Sequence, residues 1–137
     1  MIRFFSENDF VLENQTALID WIEKMVRLHQ GKIEQLHYIF CSDDDLLKIN
    51  QDFLHHDYYT DIITFDNSIG KNIDGEIYIS TDRVKENAQT FKVTFEEELQ
   101  RVMIHGVLHL LGFKDKTTHQ QEAMKQQENK ALKAYKN

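Results

Sequence analysis

The sequence predicts one α+β domain spanning residues 1–137: a small mixed sheet of about four strands packed with about five helices. A buried, histidine-bearing helix lies near the C-terminus. Three observations lead there. Short β-branched and aromatic runs at 33–41, 62–65 and 76–79 alternate with helix-period stripes such as Leu18, Ile22, Met25 and Val26. The connector 66–75 holds Asn67, Gly70, Asn72 and the Asp74-Gly75 turn signal, so its flanking strands are expected to pair as a hairpin. A length of 137 residues, 41% of them hydrophobic, suits a single core, and neither linker nor repeat divides it.

In chain order, residues 2–5 read as a strand and Glu7 to Asp9 as a polar turn. Asn14 is expected to cap the first helix and Gly31 to stop it. The strand 33–41 carries His37, read as a strand histidine with its bonds satisfied, and Cys41, read as a buried thiol in a reducing compartment. Ser42 caps a second helix whose aspartates, Asp43 to Asp45, suit its positive end; the spaced oxygen ligands of a calcium loop are missing. His55-His56-Asp57-Tyr58-Tyr59 follows as a loop. Its tyrosines can stack on unpaired bases, but packing over the sheet is the readier expectation. After the hairpin, a helix from Thr81 or Asp82 turns Val84, Ala88 and Phe91 inward. Thr94-Phe-Glu-Glu97 is a capping box, and it accounts for the acidic run Glu96 to Glu98 by helix initiation. The last helix, from Thr118, carries Ala123, Met124, Ala131, Leu132 and Tyr135, with Gln127 interrupting the stripe.

The net charge of −7 argues against indiscriminate coating of nucleic acid. Its distribution is uneven. From Phe113 onward six lysines face three acidic residues, giving +3 there and −10 before it. That tail can meet a phosphate backbone or simply solvate a helix face. No apolar run is long enough for a membrane span, so the expected location is the cytoplasm. The chain has no proline, for which we have no functional account.

The chemistry is expected in His105-Gly-Val-Leu-His109-Leu-Leu-Gly112-Phe-Lys-Asp115. Histidines four apart on a helix share a face and can present two imidazoles to one metal ion. They sit among Val102, Met103, Ile104, Val107, Leu108, Leu110 and Leu111, where an imidazole without partners is costly. Gly112 can take the left-handed turn that ends the helix and returns Asp115 to the same ion. His119, four residues further on, is the rival third ligand. The segment resembles the zinc helix of metzincin proteases, but Gly106 stands where those proteases carry their glutamate base. A glycine inside a helix costs about 1 kcal/mol against alanine, so close approach of a backbone or a bulky substrate is expected there.

The same segment resembles the signature of the YbeY-type endoribonucleases, roughly H-G-x-L-H-L-x-G-[YF]-x-H, from His105 through Phe113. It departs at Asp115, where the family has a third histidine. Ile49-Asn50, the block Asp57 to Phe65 and Gly75-Glu-Ile-Tyr-Ile-Ser80 are similar to further family blocks in the same order. The resemblance implies a metal-dependent, single-strand-specific endoribonuclease of 16S rRNA 3′-end maturation and ribosome quality control. Its partners would be rRNA precursor and the small ribosomal subunit or its assembly factors. The alternative is a ribosome-associated assembly factor with a structural metal. By the same resemblance Leu54 occupies the place of a family arginine, leaving His55, His56 or a cation from elsewhere, such as Lys114 or Lys116, to meet phosphate. Asp61 either orients a ligand histidine or caps a turn.

A three-ligand ion leaves a position for water and lowers its pKa toward neutrality, and that bound water is the one catalytic group the sequence supplies. Zinc is expected. The anionic Asp115 takes the divalent complex from +2 to +1, weakens its pull on phosphate, and opens the choice toward manganese or nickel.

Overall fold

The computed structural model describes residues 1–136. Its elements are β1 (Ile2–Ser6), α1 (Gln15–Leu28), β2 (Lys32–Cys41), α2 (Asp43–Leu54), β3 (Ile62–Asp66), β4 (Asn72–Ser80), α3 (Thr81–Phe91), α4 (Phe95–Leu110) and α5 (Thr118–Lys136). The expected α+β class, with a four-stranded mixed sheet and five helices, is what the chain adopts. The strand order is β1-β2-β4-β3, with β1, β2 and β4 parallel and β3 antiparallel to β4. Parallel neighbours need long crossovers, which α1 and the segment from α2 through β3 provide.

Alternation along the central strands sorts the two faces. Leu36, Tyr38 and Phe40 of β2 and Ile73, Ile77 and Ile79 of β4 join the main core beneath α1, α4 and α5. Cys41 and Ile63 turn to the other face, where Leu46 of α2 covers them. The buried thiol is therefore as expected, and burial pushes its pKa up to about 12. Two buried polar groups tie the layers: the Tyr38 hydroxyl donates to Met103 O of α4 at 2.9 Å, and Trp21 Nε1 donates to Ala131 O of α5 at 2.8 Å. His37 is satisfied, its Nε2 lying 2.9 Å from Gln35 Nε2.

Several local expectations are overturned. Asn14 makes no side-chain cap; it takes φ 58° and accepts Leu18 N–H through its own carbonyl. Gln30, not Gly31, takes the left-handed turn after α1. Gly31 is needed for space, since a Cβ there would lie 2.9 Å from Leu111 and Val26 side chains. Asp74-Gly75 is not the hairpin turn. The reversal comes at Gly70, with φ 58° and Ile69 paired to Asn72, while Gly75 lies inside β4. There a Cβ would stand 2.5 Å from Phe65 O and 3.1 Å from Leu110. Sheet pairing under α4 has overridden local turn chemistry. Phe91 faces outward, 62% exposed.

Candidate metal centre

α4 begins where the capping residue predicts, with Thr94 Oγ accepting Glu97 N–H at 3.1 Å. Successive spacings of four, three and four place Glu98, Val102, His105 and His109 on one helical face. Gly106 lies flat on the sheet: a Cβ there would meet Ile77 Cδ1 at 2.7 Å and Ile62 Cδ1 at 3.1 Å. The reason for glycine is thus the side chains of β3 and β4, rather than a neighbouring backbone or a substrate.

The helix ends in a reciprocal pair of bonds, Gly112 N–H to His109 O and Phe113 N–H to Leu108 O, both 3.0 Å, with Gly112 at φ 103°. This is the glycine-terminated Schellman arrangement. It returns the chain so that Phe113 O accepts from His109 Nδ1 at 3.0 Å. Two residues later Asp115 Oδ2 lies 3.2 Å from His109 Nε2 and 3.4 Å from His105 Nε2. The two Nε2 atoms are 3.0 Å apart, and one donor atom from each of the three residues falls within 4.8 Å of the others.

The outer nitrogens decide what the inner ones can offer. His105 Nδ1 is 2.6 Å from Glu128 Oε2, and Phe113 O can only accept. Each Nδ1 therefore carries its hydrogen toward an oxygen, which leaves both neutral rings presenting Nε2 lone pairs to each other and to a carboxylate. Three acceptors converging this closely call for a shared positive charge, which a proton on one Nε2 or a metal ion can supply. The donor set, two nitrogens and one oxygen, fits a divalent transition ion with a position left open. His105 feels the same pull: burial works against its charged form, but the Glu128 hydrogen bond and the charges of Glu128, Asp115 and Asp61 outweigh it and raise its pKa.

His119, on the first turn of α5, is exposed and lies outside the cluster. Asp61, just before β3, accepts Ser80 N–H through its carbonyl, and its carboxylate lies 3.4 Å from Asn87 Nδ2. The carboxylate hydrogen-bonded to His105 is Glu128. Burial raises the Asp61 pKa, with His105 opposing and Glu128 adding to the rise. A cleft of about 890 Å³ runs from His105, His109 and Asp115 past Asp61, Leu54, His56, Tyr58 and Lys116. His55, in a left-handed turn closing α2, and the exposed Lys114 are not among its lining residues. Tyr58 and Tyr59 are 57% and 48% exposed, so they do not pack over the sheet. Tyr58 stacks on His56 with ring centroids 5.2 Å apart.

Sequence reasoning missed Glu128, Glu98 and Arg101. Arg101 NH1 bridges to Glu128 Oε1 at 2.9 Å, and its NH2 reaches Asn129 Oδ1 at 2.8 Å. Glu98 is 4% exposed, and burial, reinforced by Asp61 and Glu128 against Arg101, lifts its carboxyl to about 7. The signal for Glu128 was present: it lies four residues after Met124 and three before Ala131, inside the apolar stripe of α5.

Comparison with known proteins gives matches over nearly the whole chain. A family model described as Endoribonuclease YbeY matches residues 5–136. A protein named Endoribonuclease YbeY from Christiangramia forsetii is 52% identical over 131 residues, covering 96% of this chain and 92% of that one. Its namesake from Flavobacterium psychrophilum is 50% identical over 136 residues, covering 98% and 96%. A solution structure from Thermotoga maritima superposes with a TM-score of 0.68 at 32% identity, covering 99% of this chain and 92% of that one.

Proposed function

The chain belongs to the YbeY endoribonuclease family, and from that premise we propose that it cleaves single-stranded RNA with the help of one divalent ion held by His105, His109 and Asp115. The observation that carries this is the convergence of two Nε2 atoms and a carboxylate oxygen at one end of an open cleft. A bound divalent ion supplies an acidified water and a Lewis acid for phosphodiester hydrolysis. The protein's own groups do the rest. Glu128 and Phe113 O hold the two imidazoles in orientation, while Lys116 and His56 line the same cleft and can meet phosphate charge in place of an arginine at Leu54. The Tyr58–His56 stack offers an exposed ring to an unpaired base.

Zinc is the ion proposed, with manganese or nickel accommodated by the Asp115 oxygen. The substrate is 16S rRNA precursor near its 3′ end, met on the small ribosomal subunit or with its assembly factors, in the cytoplasm. No helix among the described residues is long and apolar enough to cross a membrane. The reading as an assembly factor with a structural metal is not favoured, because the relatives are named as endoribonucleases. Metal-reconstituted protein incubated with fluorescent single-stranded RNA tests the reading, with Asp115→Ala as the contamination control. Cleavage that disappears in the variant supports it; cleavage that persists there removes the support.

A further inference from the structure

We propose that Glu128 of α5 is a positioning residue for the metal centre, holding His105 so that its Nε2 faces the ion. The inference rests on the metal reading of His105, His109 and Asp115 and adds a fourth residue that touches neither ion nor substrate. Three observations carry it. The His105 Nδ1 to Glu128 Oε2 separation of 2.6 Å is the shortest polar contact around the site, and the Glu128 side chain is 10% exposed. The other oxygen, Oε1, is occupied by Arg101 NH1 at 2.9 Å, so Glu128 is fixed from both sides and cannot rotate away from the ring. His109 is held in the same sense by a backbone carbonyl, which only accepts; Glu128 gives His105 the equivalent restraint with a full negative charge.

The consequence is specific. A carboxylate on Nδ1 makes the opposite nitrogen a better donor and removes the tautomer that would turn an N–H toward the ion. It also places the grip on the ion partly in α5, whose docking against α4 the Arg101–Glu128 pair secures.

The test is zinc affinity, measured by competition with a chromophoric chelator on full-length protein. Folding of each variant is checked by thermal melt. Glu128→Gln keeps the shape and loses the charge; Glu128→Asp keeps the charge and withdraws it from Nδ1. Each is expected to weaken zinc binding by about 10- to 100-fold. Arg101→Met, which cuts the ion pair between helices and leaves the Nδ1 contact, is expected to weaken it by less than either. In the cobalt(II) form, the visible ligand-field bands should move in the Glu128 variants and stay in place in Arg101→Met. Zinc affinity unchanged in a folded Glu128 variant overturns the inference, as does an equal loss in Arg101→Met, which would reduce Glu128 to helix docking. If the unmodified protein takes up no zinc, the metal reading itself has failed, a result distinct from either.

Discussion

The two walls of the cleft are built on opposite principles. One wall, α4 with its turn into α5, is made of packed and charge-assisted contacts: two imidazoles each bonded on the outer side, a Schellman turn, and an arginine–glutamate pair across helices. The facing wall is the loop between α2 and β3, where the exposed rings of His56 and Tyr58 stack on each other and only their backbone is tied down, by Asn50. A centre that must hold an ion at fixed distances needs its ligands ordered beforehand. A surface that accepts unpaired bases of any identity is served by rings free to adjust. Rigidity and tolerance are thus assigned to different stretches of one chain.

The largest effect that would break this contrast lies on the ordered wall. His109→Ala is expected to lower zinc affinity by more than about 100-fold and to abolish cleavage of single-stranded RNA, read by metal analysis and a fluorescent RNA assay. Retained affinity would mean that the imidazole pair is not the grip. Gly75→Ala attacks the floor beneath the same wall. Its new methyl meets the Phe65 carbonyl at 2.5 Å in a paired strand, and a loss of about 2–3 kcal/mol is expected in denaturant unfolding.

Glu98→Gln sharpens the comparison through pH. The Glu98 carboxyl is raised to about 7 by burial, with Asp61 and Glu128 adding to the rise, whereas in the unfolded chain it titrates near its ordinary 4.5. Below the lower value both states hold the proton and the group costs nothing. Between 4.5 and about 7 the unfolded chain gives up this proton while the folded state keeps it, so stability falls across that window and levels off above 7, where the folded state carries the buried charge. The glutamine variant should match the unmodified protein near pH 4 and exceed it by on the order of 1–3 kcal/mol at pH 8.5. Equal unfolding curves at both pH values would refute the buried-acid description.

The smallest stability effect is expected on the loop wall. Tyr58→Ala should change unfolding free energy by less than about 0.5 kcal/mol. The loss of a stacking surface should nevertheless raise KM for single-stranded RNA by about fivefold or more with kcat nearly unchanged. A large loss of stability there would show that the loop is no less integrated than α4.

The same division governs what could be read before the fold was known. His105, His109, Gly112 and Asp115 were legible because their geometry is local: a helical spacing, a left-handed stop, and three residues of return. Glu128 and Glu98 were not, because each satisfies a local rule that hides its tertiary role. Glu98 sits in the first turn of a capped helix, and a first-turn acid is sufficiently explained by the helix dipole. Glu128 counts in the sequence only as one of the three acidic residues of the lysine-bearing tail, though its place in the stripe of Met124, Ala131 and Tyr135 points inward. Asp74-Gly75 failed in the opposite direction. A strong turn signal was absorbed into β4 because its neighbours, Phe65 across the strand pair and Leu110 of α4, could only be supplied by the assembled fold.

The return at Gly112 has a consequence beyond the native state. It lets three donors be gathered from eleven consecutive residues, so closing that segment around an ion costs little entropy even when the sheet is melted. A divalent ion held by these three residues is therefore expected to keep a weak hold on the denatured chain, so that excess zinc protects against heat by less than the native affinity alone would give, read as thermal melts over a zinc titration. Refolding with zinc present is then expected to start from a chain already cross-linked at α4.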